Sequence, residues 1–250
     1  MAPDARVCSR LVLERSWVID EAAYAGEHHL QPRFVDGYDR KAGFDPAPEV
    51  EVLVQRGLDA DSCLVDLGGG TGELALAAAA VCRRVVLADV SSPMVDAARA
   101  KIARHGLSNV SVVQAGFLDY RHEGDPADFV YTRNALHHLP DFWKVLALRR
   151  IASILRPGGV LRLVDLLYHC EPEGVDQVIQ GWLDAAPAGP PDVGWSRAEL
   201  EQDVRDEHIT FSWLLEPMLR RTGFVIVDAF HRDPRPYASY VCQLEPAPTR

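Results

Sequence analysis

The cysteine content of the sequence is low and scattered. Five cysteines occur among the 250 residues, at Cys8, Cys63, Cys82, Cys170 and Cys242, and no two form a Cys-x-x-Cys pair. An odd number of widely spaced cysteines has neither the pairing of a disulfide framework nor the spacing of a zinc site. We therefore expect reduced, mostly buried thiols, as in a cytosolic protein.

Long apolar runs are also missing. The longest, from Leu74 to Cys82, is far too short to cross a bilayer. The first residues, MAPDARVCSRLVLERSW, lack the apolar stretch of a secretory signal peptide. These absences predict a soluble, cytoplasmic protein without a membrane partner.

Positive charge is scarce relative to negative charge. Lysine and arginine number 26 against 36 aspartates and glutamates, which gives a formal net charge of −10. Proteins that bind phosphate backbones cluster lysine and arginine on one surface. The arginine pairs at 83–84, 149–150 and 220–221 are instead typical of solvated helix ends. The balance disfavours a nucleic acid as a partner.

What the sequence does contain is a regular alternation of strand-like and helix-like segments, which is typical of a parallel α/β sheet. The predicted strands are 63–67, 84–90, 110–115, 127–132 and 160–166, and the predicted helices between them are 73–81, 93–106 and 140–155. The residues RPGG form a predicted turn before the fifth strand. A helix at 211–222 then precedes strands 224–230 and 238–244, and a turn with Pro234 and Pro236 joins those strands as a hairpin. The sheet is therefore expected to end in an antiparallel edge strand.

Two segments fall outside this alternation and divide the chain. We expect an N-terminal helical lid at 1–50, a ligand-binding core at 51–166, and a polar insertion over the substrate at 167–210. The last helix and strand pair, 211–250, would complete the core. The amphipathic stretch 196–208 is compatible with dimer contacts, so the predicted assembly is a monomer or a homodimer.

A glycine-rich loop follows the first predicted strand, in the stretch LVDLGGGTGEL. Absent side chains let such a backbone touch a ligand at the carboxyl end of a parallel sheet. A Walker loop requires Lys where Glu73 stands, so a nucleoside triphosphate is excluded. The stretch Gly70–Ala75 matches GxGxxA, but two glycines precede it and Glu73 would face a pyrophosphate. An NAD(P)-dependent oxidoreductase remains an alternative, although the chain has no Tyr-x-x-x-Lys pair.

The loop is better described as Asp66-x-Gly68-x-Gly70-x-Gly72. This pattern resembles motif I of the class I S-adenosylmethionine-dependent methyltransferases. Asp89, at the end of the second strand, is similar to the acidic residue that pairs with both ribose hydroxyls in that family. TRNALHHL resembles the loop after the fourth strand of small-molecule methyltransferases, and ILRPGGVLRLVDL resembles the turn and fifth strand. The resemblance covers residues 60–166.

This resemblance implies a Rossmann-like, mostly parallel seven-stranded sheet with helices on both faces, an antiparallel edge strand and a helical lid. It implies S-adenosylmethionine as cofactor and S-adenosylhomocysteine as product. The implied cofactor-binding residues are Asp66, Gly68, Gly69, Gly70, Gly72, Asp89, Val90, Met94, Gly116, Phe117, Asn134 and Tyr38. Gly116 stands where the family often has an acid near the adenine amine, so either Asp119 reaches in or Phe117 stacks on the adenine.

The family resemblance also narrows the acceptor. The [DN]PP[FY] motif of nucleic-acid amino methyltransferases is replaced here by Thr132-Arg133-Asn134-Ala135-Leu136. The pattern is most similar to methyltransferases of quinone biosynthesis and secondary metabolism, which implies a small organic acceptor methylated on oxygen, nitrogen or carbon. An alternative is a biosynthetic protein that binds S-adenosylmethionine but uses it structurally or for other chemistry.

Histidines are the candidate catalytic bases, because a neutral imidazole accepts protons near pH 7. His138 and His137 follow the fourth strand, and His28 lies in the N-terminal segment. The alternative is that the pair only caps its loop or packs against Trp143, and that His28 lies in a surface loop. No metal is predicted, since the acidic cluster of a magnesium site is missing. Aromatic residues in the variable segments suggest a cover over an apolar or aromatic acceptor, namely Tyr24, Phe34, Tyr38, Tyr168, Trp182, Trp195, Phe211 and Trp213.

Overall fold

The structure is a computed structural model that describes residues 16–187, 192–232 and 235–246. Cys8, Pro234 and the first part of the predicted lid lie outside the described residues. Of the four cysteines within them, Cys63, Cys82 and Cys242 are free, buried thiols, and Cys170 is partly buried. Within the described ranges, no helix combines the length and the apolar character that a membrane span needs.

A seven-stranded sheet forms the centre of the fold. Its strands are β1 (Cys63–Leu67), β2 (Arg84–Asp89), β3 (Val110–Gln114), β4 (Ala127–Arg133), β5 (Leu155–Asp165), β8 (Phe224–His231) and β9 (Ala238–Leu244); the short strands β6 (Leu167–Tyr168) and β7 (Thr210–Phe211) pair separately. The order across the sheet is β3-β2-β1-β4-β5-β9-β8. The predicted Rossmann-like, mostly parallel seven-stranded sheet is confirmed. The antiparallel pair closes one end, with β9 as the reversed strand and β8 at the edge itself.

Eight α-helices lie in the described part of the chain: α1 (Pro32–Ala42), α2 (Ala47–Gln55), α3 (Glu73–Ala78), α4 (Ser92–His105), α5 (Asp141–Ile154), α6 (Val175–Asp184), α7 (Arg197–Asp206) and α8 (Ser212–Arg221). Local signals fix several ends. The Ser91 side chain caps α4 by accepting the Met94 N–H, and Gly106 ends that helix with a φ of 65°. Ser196 and Glu199 form a capping box at the start of α7.

Each face of the sheet carries its own hydrophobic core, because alternate residues of a strand point to opposite faces. Val65 and Leu67 of β1 pack in one core, whereas Leu64 packs in the other. The first core includes residues of α5 and α8, and the second includes residues of α2, α3 and α4. Helices therefore cover both faces, as the sequence predicted.

Some element boundaries differ from the sequence prediction. The predicted turn at RPGG is wrong, because β5 begins at Leu155 and continues through this stretch to Asp165. The pairing with β4 shifts register between Ala127 and Phe129, and Gly158 has a φ of 76°. The stretch is thus an irregular strand, since a glycine there lets the backbone kink without leaving the ladder. The helix predicted to reach residue 81 ends at Ala78.

The strand order reverses direction at β1, which has β2 on one side and β4 on the other. Connections from β1 and β4 therefore leave in opposite directions and open a crevice at the carboxyl ends of these strands. The glycine loop after β1 and the TRNALHH stretch at the end of β4 both lie at this edge. The division of the chain into lid, core and insertion stays a prediction.

Candidate active site

The glycine loop is bent tightly against the end of β2. The N–H groups of Gly68 and Gly69 both donate to the Ala88 carbonyl, at 2.8 and 3.2 Å. Gly68 and Gly70 have φ values of 70° and 53°, which side chains rarely allow. A Cβ on Gly68 would also overlap the Ala135 side chain. The loop thus presents bare backbone to the crevice because no other residue fits.

Two buried acids flank this loop. Asp66 Oδ2 has no hydrogen-bond partner among the described residues, and burial together with the nearby Asp89 raises the Asp66 pKa to about 7. Asp89 Oδ2 accepts the Gly70 N–H at 2.9 Å, and its Oδ1 accepts the Ser91 N–H at 2.8 Å. Burial raises the Asp89 pKa as well. A buried carboxylate with an unpartnered oxygen calls for a cationic or hydrogen-bonding ligand.

The crevice consists of two adjoining lobes, of about 630 and 700 Å³, that share Tyr38, Gly68, Gly70, Arg133 and Asn134. We call it the glycine-loop cleft. Its walls contain nearly all the predicted cofactor residues: Tyr38, Asp66, Gly68, Gly69, Gly70, Asp89, Val90, Met94, Gly116, Phe117 and Asn134. Gly72 is not on the walls described; a Cβ there would press on Leu87 and Ala98 instead. Gly72 therefore serves the packing of α3 against β2 and α4.

Helix α1 covers the cleft and is fastened to the glycine loop by ionic contacts. The Thr71 hydroxyl donates to Asp39 of α1, and Lys101 of α4 pairs with Asp39 as well. The same ammonium lies 2.5 Å from Glu73 at the start of α3. One lysine thus joins three helices and holds Tyr38, one residue before Asp39, over the cleft.

Replacing Lys101 by methionine is expected to loosen α1, because Asp39 and Glu73 would then repel each other without the ammonium between them. Exposed pairs are each worth little, so we expect the melting temperature to fall by about 2 to 4 °C. Affinity for the cleft's ligand should fall by about threefold to tenfold. Differential scanning fluorimetry and calorimetry measure both. Arg99→Met is the matched control, since Arg99 pairs only with the exposed Asp96 on the same helix among the described contacts; an equal loss in both variants would contradict this role.

A second cavity, of about 1200 Å³, adjoins the cleft. We call it the aromatic cavity, because Phe34, Tyr38, Trp182, Trp195 and Tyr237 line it. It shares His29, Tyr38, Arg133, Asn134 and His138 with the first lobe of the cleft. The remaining predicted cover residues lie elsewhere: Phe211 stacks on Trp213 and makes a tilted contact with Tyr168, and Tyr24 makes a tilted contact with His208.

The histidine pair lies where the two cavities meet, and its members have different environments. His137 Nδ1 contacts Asp165 at the end of β5, and its Nε2 lies 3.1 Å from Glu207 Oε2. Burial opposes a charge on this ring, but the two carboxylates outweigh it and raise the His137 pKa to about 10. Burial raises the Glu207 pKa, but the charged His137 outweighs it and lowers that pKa to about 2. His137 is therefore a fixed cation between two anions.

His138 is the opposite case. Burial, reinforced by the charged His137 ring beside it, lowers the His138 pKa well below its ordinary value. Its Nδ1 makes no hydrogen bond within the described part of the chain, although Glu207 Oε1 lies 3.5 Å away. Trp143, the alternative packing partner, stacks on Trp17 and meets the Phe142 ring edge-on. His138 is thus a neutral imidazole on the wall of both cavities, and its Nδ1 has no hydrogen-bond partner among the described residues. The third candidate, His28, is exposed and lines the aromatic cavity but not the cleft.

His137, His138 and Glu207 also offer ligand atoms that all lie within 4.8 Å of one another, close enough for a cation. A protonated His137 offsets the charge of one of the two carboxylates beside it, Asp165 and Glu207. That no metal binds stays a prediction.

The Asp165–His137–Glu207 cluster predicts a loss of stability at alkaline pH. A histidine whose pKa rises from 6.5 to about 10 on folding stabilises fully below 6.5 and loses that contribution as the pH approaches 10. We expect the melting temperature to fall by about 4 °C or more between about pH 8 and about pH 10. Asp165→Asn, which removes one of the anions, should melt lower at pH 8 and show a smaller fall. An unchanged slope in that variant would contradict the assignment.

The residues of this site lie in a region that the chain shares with known proteins. A family model described as a methyltransferase domain matches residues 64–159, which contain the glycine loop, Asp89 and the histidine pair. The chain is 30% identical over 171 residues to the tRNA 5-carboxymethoxyuridine methyltransferase of Escherichia coli strain K12, covering 67% of this chain and 63% of that protein. It is 31% identical over 121 residues to the 27-O-demethylrifamycin SV methyltransferase of Amycolatopsis mediterranei strain S699, covering 48% and 44%.

Among solved structures, the chain resembles magnesium protoporphyrin IX methyltransferase from Synechocystis PCC 6803 with bound SAH, at a TM-score of 0.63 and 18% identity. That match covers 90% of this chain and 100% of the other. The chain contains a methyltransferase domain at residues 64–159. It spans about 63% of the length of the tRNA methyltransferase and 44% of the rifamycin enzyme.

The cofactor of this methyltransferase family, S-adenosylmethionine, suits the residues present. Its ammonium suits the unpartnered Asp66 oxygen, and its ribose diol suits the free lone pairs of Asp89. The family and the fold were predicted correctly from the sequence. The roles of individual residues stay predictions.

The structure adds residues to this methyltransferase site that the sequence interpretation missed. Arg133 lines both lobes of the cleft, lies over the Phe44 ring and donates to the Tyr237 hydroxyl at 2.8 Å. Asn134, next to it, has a φ of 47° and is the only non-glycine residue in the described ranges with a positive φ. Glu207 and Glu21 reach the site from segments far away in the sequence, and no local motif could have indicated them.

Proposed function

We propose that this methyltransferase transfers a methyl group from S-adenosylmethionine to an ionisable group, most simply a hydroxyl, of a small aromatic acceptor. The observation that carries the proposal is the shared wall. Tyr38, Asn134 and His138 line both the glycine-loop cleft and the aromatic cavity. A donor in the first and an acceptor in the second would meet at these residues.

The cleft has a recognition group for each polar part of the cofactor. Asp66 is placed to accept from the ammonium, and the Arg133 guanidinium is placed to bind the carboxylate at the same end. Asp89 is placed to accept from both ribose hydroxyls. Tyr38, held by α1, closes this end of the cleft and excludes water.

When bound, the cofactor supplies an electrophilic methyl on a sulfonium. The chain's own contribution is to hold the acceptor in line and to remove its proton. In the neutral His138 ring, a proton on Nδ1 points toward Glu207, which leaves the Nε2 lone pair for the acceptor. The imidazolium formed by proton transfer is then paired with Glu207, whose low pKa keeps it ionised. His137 and Asp165 keep that carboxylate in place.

The aromatic cavity favours a small planar acceptor over a nucleic acid. Its walls include aromatic rings, and its charged lining residues have both signs: Glu199, Asp203 and Glu207 against Arg133, Arg232 and Arg235. The rings suit a planar acceptor, and the net charge of −10 on the chain disfavours a phosphate backbone. The relative named as a tRNA methyltransferase makes tRNA the acceptor to test against this proposal.

An assay of S-adenosylhomocysteine release tests the proposal. Panels of phenols, quinols and aryl amines would be compared with bulk tRNA, each with S-adenosylmethionine and without enzyme as the blank. We expect turnover with at least one aromatic class and none with tRNA. Turnover on tRNA alone would contradict the acceptor class. Cofactor binding without turnover on any acceptor would favour the alternative of a non-methylating biosynthetic protein.

A further inference from the structure

The N-terminal segment places a buried carboxylate inside the glycine-loop cleft. Glu21 begins a short 3₁₀ helix, Glu21–Tyr24, which lies outside the 64–159 range of the family match. Glu21 Oε1 accepts the Phe117 N–H at 2.7 Å, and Oε2 accepts the Leu118 N–H at 2.8 Å. A carboxylate from one end of the chain thus caps the loop after β3, more than 90 residues away.

Gly116 is the residue that makes room for this carboxylate. A Cβ built on Gly116 would overlap the Glu21 carboxyl group, although the backbone there is not in the left-handed region. Asp119, the acid that the sequence offered for this place, accepts the Gly116 N–H at 2.6 Å and is not on the cleft wall. Glu21 and Gly116 are therefore complementary, and Glu21 is the acid that faces the cleft here.

The other residues that line this lobe indicate which kind of ligand would contact Glu21. Among polar residues, the lobe's lining includes the apolar side chains of Ala25, Val90, Phe117 and Leu139. A flat ring fits between such walls, and its outer edge would meet the Glu21 oxygens. Each oxygen already accepts one backbone N–H and has a lone pair left, so the matching edge carries a hydrogen-bond donor such as an amino group.

We propose that Glu21 is the residue that recognises the 6-amino group of the adenine ring, and that the N-terminal segment is therefore part of the cofactor site. This inference rests on the proposed cofactor. Burial raises the Glu21 pKa to about 7, with Asp119 and Asp89 adding to the effect. A carboxyl that is partly protonated near neutral pH also has a proton to donate to the ring nitrogen beside the amino group.

Discrimination between two ligands tests the role of Glu21. Calorimetry would compare S-adenosylhomocysteine with S-inosylhomocysteine, in which a carbonyl oxygen replaces the 6-amino group. We expect the wild type to prefer the adenine compound by about thirtyfold or more, because a buried acceptor without a donor is costly. Glu21→Ala should weaken the binding of S-adenosylhomocysteine by about tenfold, or about 1.4 kcal/mol. It should also reduce the preference for S-adenosylhomocysteine over S-inosylhomocysteine to about fivefold or less.

Two further variants separate recognition from folding. Asp20→Ala removes the cap of the same 3₁₀ helix without touching the cleft wall, and should leave the preference intact. Gly116→Ala alone should weaken the binding of S-adenosylhomocysteine, because the new methyl group displaces Glu21. Combined with Glu21→Ala, it should cause little further loss of affinity. Melting curves of all variants show whether each one is folded.

Three results would overturn the inference. Tighter binding of S-adenosylhomocysteine by Glu21→Ala would mean that Glu21 competes with the adenine for the loop. An unchanged preference in a folded Glu21→Ala protein would mean that Glu21 is only structural. If the wild type binds neither compound, the proposed cofactor fails as well, and this outcome is distinguishable from the other two.

Discussion

Replacing Asp89 by alanine is expected to weaken the binding of S-adenosylhomocysteine by about thirtyfold or more. The carboxylate would accept from the ribose diol, and it also fixes the N–H groups of Gly70 and Ser91 at the edge of the cleft. Its removal leaves buried donors unsatisfied, each at a cost of about 1 to 3 kcal/mol, in addition to the lost contacts with the ligand. Isothermal titration calorimetry gives the affinity directly.

Asp128→Ala is the matched control for this variant. Asp128 also accepts a backbone N–H of β1, that of Cys63 at 2.8 Å, and it pairs with Arg156. It does so at the amino end of the strand, far from the cleft. We expect the affinity of Asp128→Ala for S-adenosylhomocysteine to stay within about twofold of the wild-type value. Similar losses of affinity in both variants would mean that the effect of Asp89→Ala comes from reduced stability alone.

Replacing His138 by glutamine is expected to have the largest effect on turnover. If the imidazole removes the acceptor's proton, the rate with the best phenolic acceptor should fall by about 10² to 10⁴-fold. The affinity for S-adenosylhomocysteine should change by less than about threefold, since the proposed cofactor contacts lie on other residues. Single-turnover kinetics together with calorimetry separates these two quantities.

The pH dependence of turnover gives an independent check on His138. Because its pKa lies well below the ordinary value, the ring is neutral from about pH 6.5 upward, and the rate should not rise with pH through the usual range of histidine. His28→Gln is the control, because His28 is exposed on the aromatic cavity and is absent from the cleft wall. A folded His138→Gln protein that keeps a third or more of the rate would rule out the base.

The parts of the fold that could be predicted are those with local signals. The strands β1 and β9 have the bounds expected from their apolar patterns, and Gly106 ends α4 as a glycine cap should. The glycine loop and Asp89 were found because each follows a strand directly. The RPGG stretch was predicted wrongly because proline and glycine usually break a strand. Here the ladder with β4 continues across an irregularity, from Leu155 opposite Ala127 to Val160 opposite Phe129.

The parts that could not be predicted depend on contacts between distant segments. Glu207, at the end of α7, reaches the histidine pair some 70 residues earlier in the chain. Glu21 reaches the loop after β3. The pKa of His137 is raised by Asp165 and Glu207, whereas burial and the charged His137 ring lower the pKa of His138. Nothing in the sequence distinguishes the two adjacent histidines, and only their surroundings in the fold make one a cation and leave the other neutral.

The glycine loop, Asp66 and Asp89 form the cleft that we expect to bind S-adenosylmethionine. The most direct test is calorimetric titration of the wild-type protein with S-adenosylmethionine, S-adenosylhomocysteine and NADH. We expect both sulfur compounds to bind with micromolar affinity and NADH not to bind. Binding of NADH without binding of either sulfur compound would contradict the account and would favour the dinucleotide interpretation of the Gly70–Ala75 stretch.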